Sequence, residues 1–148
     1  MRLRLSKSRV VTVMQSESSE CGFACLAMIA TYFGRAVTLA ELRTQYGSVG
    51  KGTTLAQLIA VGRELGFSAR AVRVEIDDLR MVNAPVVLHW NFEHFVVLEA
   101  VEGDDFLIHD PAKGRRWVQE KEVSSGFTGV ALQLTPEVGL TPVSPKPK

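Results

Sequence analysis

The hydrophobic pattern changes period once along the chain, and that change separates a helical half from a strand half. From Cys21 to Phe33 nearly every position is apolar or small (CGFACLAMIATYF). A segment apolar on most sides predicts a buried, central helix. Ser18 or Ser19 is placed to cap its start, and Gly34 to end it. Two shorter helices carry the same signals. Thr38 precedes LAELRTQY and Gly47, and Thr53 or Thr54 precedes LAQLIAVGREL and Gly66, with the turn SVGKG between them. Beyond Gly66 the period becomes two. SARAVRV alternates and predicts a strand, and IDDLRMV a short helical turn. PVVLHW, HFVVLEAV, FLIHD and WVQ then predict strands joined by NFE, EGDD and DPAKGRR, with VALQL as the last of the series. Closely spaced strands with turn signals predict an antiparallel meander. Helices first and strands second make an α+β domain rather than alternating β/α units.

The flanks differ from this body. Residues 1–14 predict a basic arm (Arg2, Arg4, Lys7, Arg9) with a short strand-like piece at Val10, Val11 and Val13. From Thr135 the chain becomes rich in proline, the composition of an extended connector. The expected organisation is one domain over 1–136 and a linker over 137–148 that connects to something further.

Composition narrows the function classes. At 46% hydrophobic and 22% charged, the 148 residues have the balance of a globular domain. A net charge of +1 supplies no field to recruit nucleic acid. Lys51 and Gly52 lack the glycine spacing of a phosphate-binding loop. No apolar run reaches the roughly 20 residues of a membrane span, and no secretion signal opens the chain, so a cytosolic setting is expected.

The cysteines carry the chemical signal. Cys21 and Cys25 lie four residues apart, too close for a disulfide framework. With a histidine they would still fall short of the four ligands of a structural zinc site, so no metal is expected. Cys25 falls one turn into the helix and predicts core packing. Cys21 falls at its start, where the helix macrodipole favours the thiolate that attacks carbonyls. A thiol nucleophile needs an imidazole to take its proton, and the imidazole needs an acceptor to orient it. Of the three histidines, His94 opens a strand just after a turn. If HFVVLEAV and FLIHD pair through EGDD, their outer ends meet and bring His94 to Asp110. His89 and His109 fit structural roles better. Gln15, six residues before Cys21, carries an amide able to donate to a developing oxyanion.

Gln15, the ECG at 20–22, the helix ending at Gly34, HFVVLEAV with His94, and Asp110–Pro111 together resemble the N-terminal peptidase domain of bacteriocin-exporting ABC transporters. These are the double-glycine leader peptidases, and the colicin V type of exporter is the most similar in pattern. The resemblance covers residues of about 8 to 136. Glu20 stands where many relatives carry Asp, which leaves the catalytic positions intact. The resemblance implies a papain-like cysteine peptidase that cuts a precursor after a Gly–Gly pair, with the leader bound as an amphipathic helix. Cys21 would be the nucleophile, His94 the general base and acid, Asp110 its orienting group, and Gln15 with the Cys21 N–H the oxyanion hole. Trp90 and Phe92, near His94, are candidates for the walls of a channel that admits only glycine. The implied partners are the precursor peptide and the transmembrane and ATPase parts of an exporter on the cytoplasmic side of a bacterial membrane. ATP would belong to the exporter and no cofactor to the peptidase. The alternative from another class is a leader-docking module that binds without cutting. An amidase or acyltransferase on the same scaffold lacks a supporting cell-wall-binding or secretion segment.

Overall fold

The computed structural model describes residues 9–47, 52–82 and 84–137. The helical half comes first. A 3₁₀ turn at Ser18–Glu20 leads into α1 (Cys21–Tyr32), followed by α2 (Leu39–Tyr46) and α3 (Leu55–Glu64). Every residue of α1 from Cys21 to Ala30 is buried, as its all-round apolar pattern requires. Gly34 takes a positive φ of 90° just after the helix, which a side chain would resist.

The caps of the shorter helices follow the sequence. The Glu41 N–H donates to the Thr38 hydroxyl at 3.1 Å, and the Glu41 carboxylate accepts from the Thr38 N–H at 2.8 Å. Thr54, not Thr53, makes the same reciprocal box with Gln57. Neither Ser18 nor Ser19 caps α1. Its entry is held instead by the Glu20 carboxylate, which accepts from the Ser16 and Glu17 N–H groups at 3.0 and 3.1 Å. Of SVGKG only Gly52 lies within the described residues.

The strands are β1 (Phe67–Arg73), β2 (Val86–Trp90), β3 (His94–Glu102), β4 (Asp105–Asp110), β5 (Gly114–Gln119) and β6 (Phe127–Pro136). They form one sheet in the order β1-β6-β2-β3-β4-β5, with every pairing antiparallel. The meander expected throughout holds only from β2 to β5. β6 enters between β1 and β2, pairing along the whole of β1 and with Val87, Leu88 and Trp90 of β2. Local turn signals say nothing about a strand that returns from the far end of the chain, so the insertion is invisible in the pattern. A short helix, α4 (Glu120–Gly126), was also unpredicted.

Both faces of the sheet are covered. Cys25, Leu26 and Ile29 of α1 join one core with Val87, Phe95, Val97 and Leu132. Leu88, Val96, Leu98, Phe106 and Ile108 form a second core with Val123 of α4 on the other face. Burial on two faces is why VVL and FVVL are continuous apolar runs rather than alternating ones. Gly126 sits hard against this second core. A Cβ built there would lie 2.2 Å from Trp90 Cε2, against a rigid ring. Gly126→Ala is therefore expected to lower stability by about 1–3 kcal/mol in urea unfolding, because the indole must shift to make room.

The flanks depart from expectation in two places. Val10, Val11 and Val13 form no strand. Residues 9–15 are an extended strap, bound by the Arg9 N–H to Glu99 (2.8 Å), Thr12 to His109 (2.6 Å) and the Gln15 N–H to the Pro111 carbonyl (2.9 Å). Side chains and single backbone bonds replace a ladder there. The proline-rich tail was expected from Thr135, but β6 continues through Pro136 and the Glu137 N–H reaches the Gly66 carbonyl at 3.1 Å. The rest of the expected linker, and Arg2, Arg4 and Lys7 of the basic arm, lie outside the described residues.

Candidate active site

The helix start and one end of the sheet meet at a cleft of about 870 Å³ whose lining includes Gln15, Trp90, Phe92, His94 and Asp110. Cys21 is the first residue of α1, beside the first residue of β3, His94. The β3–β4 register sets Val97 opposite His109, so Asp110 is the diagonal neighbour of His94 on the same face. His94 Nε2 and Asp110 Oδ1 are 2.7 Å apart. The expected meeting of the outer strand ends is thus present.

Cys21 completes the array from the other side. Its thiol lies close enough to the His94 ring to help raise the imidazole's pKa. Its second neighbour is the Glu93 carbonyl oxygen, 4.0 Å from Sγ. Cys21 is only 5% exposed. It lies under the cleft rather than projecting into it. Cys25 is fully buried, and desolvation pushes its thiol well above the ordinary range. That burial makes it the packing residue its position predicted.

Charge is arranged around the imidazole. The Asp110 carboxylate, and after it the Cys21 thiol, raise His94 from 6.5 to about 9 against the opposing effect of burial. Burial alone would raise the Asp110 carboxyl. The bond from His94 and the 2.8 Å bond from the Ala112 N–H outweigh it and hold that carboxyl below its usual range. At neutral pH the pair is therefore an imidazolium against a carboxylate.

Gln15 is set in place by its backbone bond to Pro111, the residue after Asp110. Its side-chain Oε1 is buried without a hydrogen-bond partner among the described residues. Trp90 is mostly buried under the cleft, whereas Phe92 is 80% exposed at its rim. Of the other two histidines, His89 also lines the cleft. His109 is wholly buried, and desolvation lowers its pKa. In the neutral ring Nε2–H donates to Glu99 (2.7 Å) and Nδ1 accepts from the Thr12 hydroxyl (2.6 Å). It anchors the strap that carries Gln15.

Glu20 and Arg43 were missed by sequence reasoning. Glu20 is buried beside Cys21, and Arg43 of α2 pairs with its free oxygen while the other oxygen gathers the Ser16 and Glu17 N–H groups. The Arg43 bond is the main reason its carboxyl is held low. The only sequence signal was an acid directly before an apolar helix, with no basic residue one turn on. Glu20→Ala is expected to cost about 1–3 kcal/mol in urea unfolding, since two backbone donors lose their acceptor. It should also slow any reaction that depends on the loop between Gln15 and Cys21.

A thiol at a helix start, an imidazole at a strand start and a carboxylate on the next strand define a cysteine peptidase of papain-like architecture. The chain matches the Peptidase C39 family over residues 9–139 and belongs to it. It is 44% identical over 128 residues to the colicin V secretion/processing ATP-binding protein CvaB of Escherichia coli. That match takes in 86% of this chain but only 18% of the relative, so the chain spans under a fifth of CvaB. Among solved structures, it is similar to a double glycine motif protease from an AMS/PCAT transporter, crystallised with the leader peptide. That likeness has a TM-score of 0.81 and 36% identity, over 86% of this chain and 92% of the other. The peptidase domain of Streptococcus ComA, a bi-functional ABC transporter, shares the fold at a TM-score of 0.78 and 24% identity, over 85% of this chain and 98% of that domain. No helix among the described residues is long and apolar enough to cross a membrane.

Proposed function

We propose that this chain is the processing domain of a peptide exporter and cuts a precursor after the Gly–Gly pair that ends its leader. The observation that carries the reading is the Cys21–His94–Asp110 array at the floor of a cleft. Cys21 is the nucleophile, and protonated His94 is the counter-ion its thiolate needs. Sγ attacks the carbonyl carbon of the second glycine. The oxyanion takes hydrogen bonds from the Gln15 amide and the Cys21 N–H at the start of α1. His94 then gives its proton to the departing amide nitrogen, the C–N bond breaks, and the leader remains as a thioester on Cys21. Next His94 takes a proton from water, the hydroxyl displaces Sγ, and the leader leaves with a free carboxylate. Asp110 holds the ring in register through both steps.

The demand for glycine follows from the depth of Cys21. A nearly buried thiol admits a backbone that carries no Cβ, and Trp90 below with Phe92 at the rim narrow the approach. The likeness to a protease crystallised with a leader peptide supports a peptide leader as partner. The likeness to an ATP-binding secretion protein supports membrane and ATPase parts as further partners, with ATP used there.

The reading is tested by incubating the chain with a leader–cargo peptide and with the same peptide carrying Gly→Ala at either glycine. Mass spectrometry should find one cut, after the second glycine, in the parent peptide only. Tight binding of the parent peptide without a cut would favour the docking alternative.

A further inference from the structure

The turn between β2 and β3 holds a bulky residue, Phe92, in a conformation that residue resists. Asn91 and Phe92 both have positive φ, 50° and 65°, without being glycine. Such residues persist only where their surroundings hold them, and they gather at functional sites. Here the Asn91 N–H donates to the Gly126 carbonyl at 2.8 Å. The Phe92 carbonyl accepts from His89 Nε2 at 3.0 Å. A carbonyl only accepts, so Nε2 carries a hydrogen. The other ring nitrogen meets the Thr128 hydroxyl at 2.9 Å, and the His89 ring packs against Phe92 and Phe95 with centroids 6.4 and 5.1 Å apart. His89 is thus fixed on three sides and grips the turn with its fourth.

What the turn carries gives that grip its meaning. Phe92 stands on the cleft rim, the Glu93 carbonyl faces Cys21 Sγ, and His94 follows at once. We propose that His89 is a positioning residue: by binding the Phe92 carbonyl it fixes the Asn91–Glu93 turn, and through it the placement of His94 against Cys21. The proposal rests on the peptidase reading above. It assigns a role to a histidine whose sequence position suggested only a structural one.

Two amides separate this role from simple packing. Glutamine at 89 offers an N–H near the place of Nε2, whereas asparagine offers one near Nδ1 and leaves the Phe92 carbonyl bare. Kinetics on the leader–cargo peptide should find His89→Gln within about three-fold of wild-type kcat, and His89→Asn and His89→Ala lower by about 10- to 100-fold, with KM within about two-fold throughout. Equal kcat in all three variants, whether high or low, overturns the proposal. If the Asn and Ala variants do not fold, Thr128→Val takes their place, removing the hydroxyl that steadies Nδ1 while keeping the shape. A drop of about three- to ten-fold in its kcat at constant KM supports the proposal, and wild-type kcat overturns it. A wild-type chain that binds the peptide and never cuts it overturns the peptidase reading itself.

Discussion

Cys21→Ala is expected to lower leader cleavage by at least about 10⁴-fold, since an array that loses its nucleophile keeps only what its binding and oxyanion donors supply. The change removes one sulfur from a buried site and leaves Gln15, His94 and Asp110 where they are. Binding of the leader should therefore survive, which calorimetry with the same peptide will show. Cys25→Ala is the internal control. Cys25 is fully buried one turn into α1, so its loss should appear in unfolding rather than in turnover. Cleavage rates by chromatography, set beside binding and unfolding, separate the two thiols.

Asp110→Asn should lower kcat by about 10²- to 10⁴-fold at neutral pH. Asparagine keeps an oxygen for the Ala112 N–H, but it removes the charge that raises His94 to about 9. In the proposed mechanism the imidazolium is the acid that protonates the leaving nitrogen. Wild-type kcat should therefore fall as pH rises through about 9, and the variant's alkaline limb should lie at lower pH. Stability follows the same titrations. His94, raised in the fold, contributes stability that is complete below 6.5 and lost as pH rises through about 9. Asp110, lowered in the fold, contributes stability that is present above 3.8 and lost as pH falls through its lowered value. The gap between wild type and Asp110→Asn should be widest between those limits and narrow above pH 9. Urea unfolding across pH checks this, and a constant gap would contradict the ion pair.

Most of the helical half was legible because its determinants are local. Thr38 and Thr54 stand just before apolar runs, with Glu41 and Gln57 three residues on, and Gly34 sits where a left-handed residue is needed. The order of thiol, imidazole and carboxylate was legible as well, because EGDD forces β3 and β4 together. What stayed hidden depends on partners distant in sequence. Nothing near Phe127 says that β6 will slide between β1 and β2. Glu20 finds Arg43 across a turn of chain, and His89 finds Thr128 on β6. The helix α4 has one buried apolar side chain, Val123, too few to display a period. The depth of Cys21 was also out of reach, because it depends on how the strap, α1 and the β2–β3 turn close over one another.

The central claim is that Cys21 attacks the carbonyl of a glycine at the end of a leader. It is tested most directly with a leader peptide ending in Gly–Gly and bearing a vinyl sulfone in place of the scissile bond. After incubation, peptide mapping by mass spectrometry locates the adduct. The account predicts a single adduct, on Cys21, that is lost when either glycine is replaced by alanine. An adduct on Cys25, or none on a chain that binds the leader tightly, would contradict it.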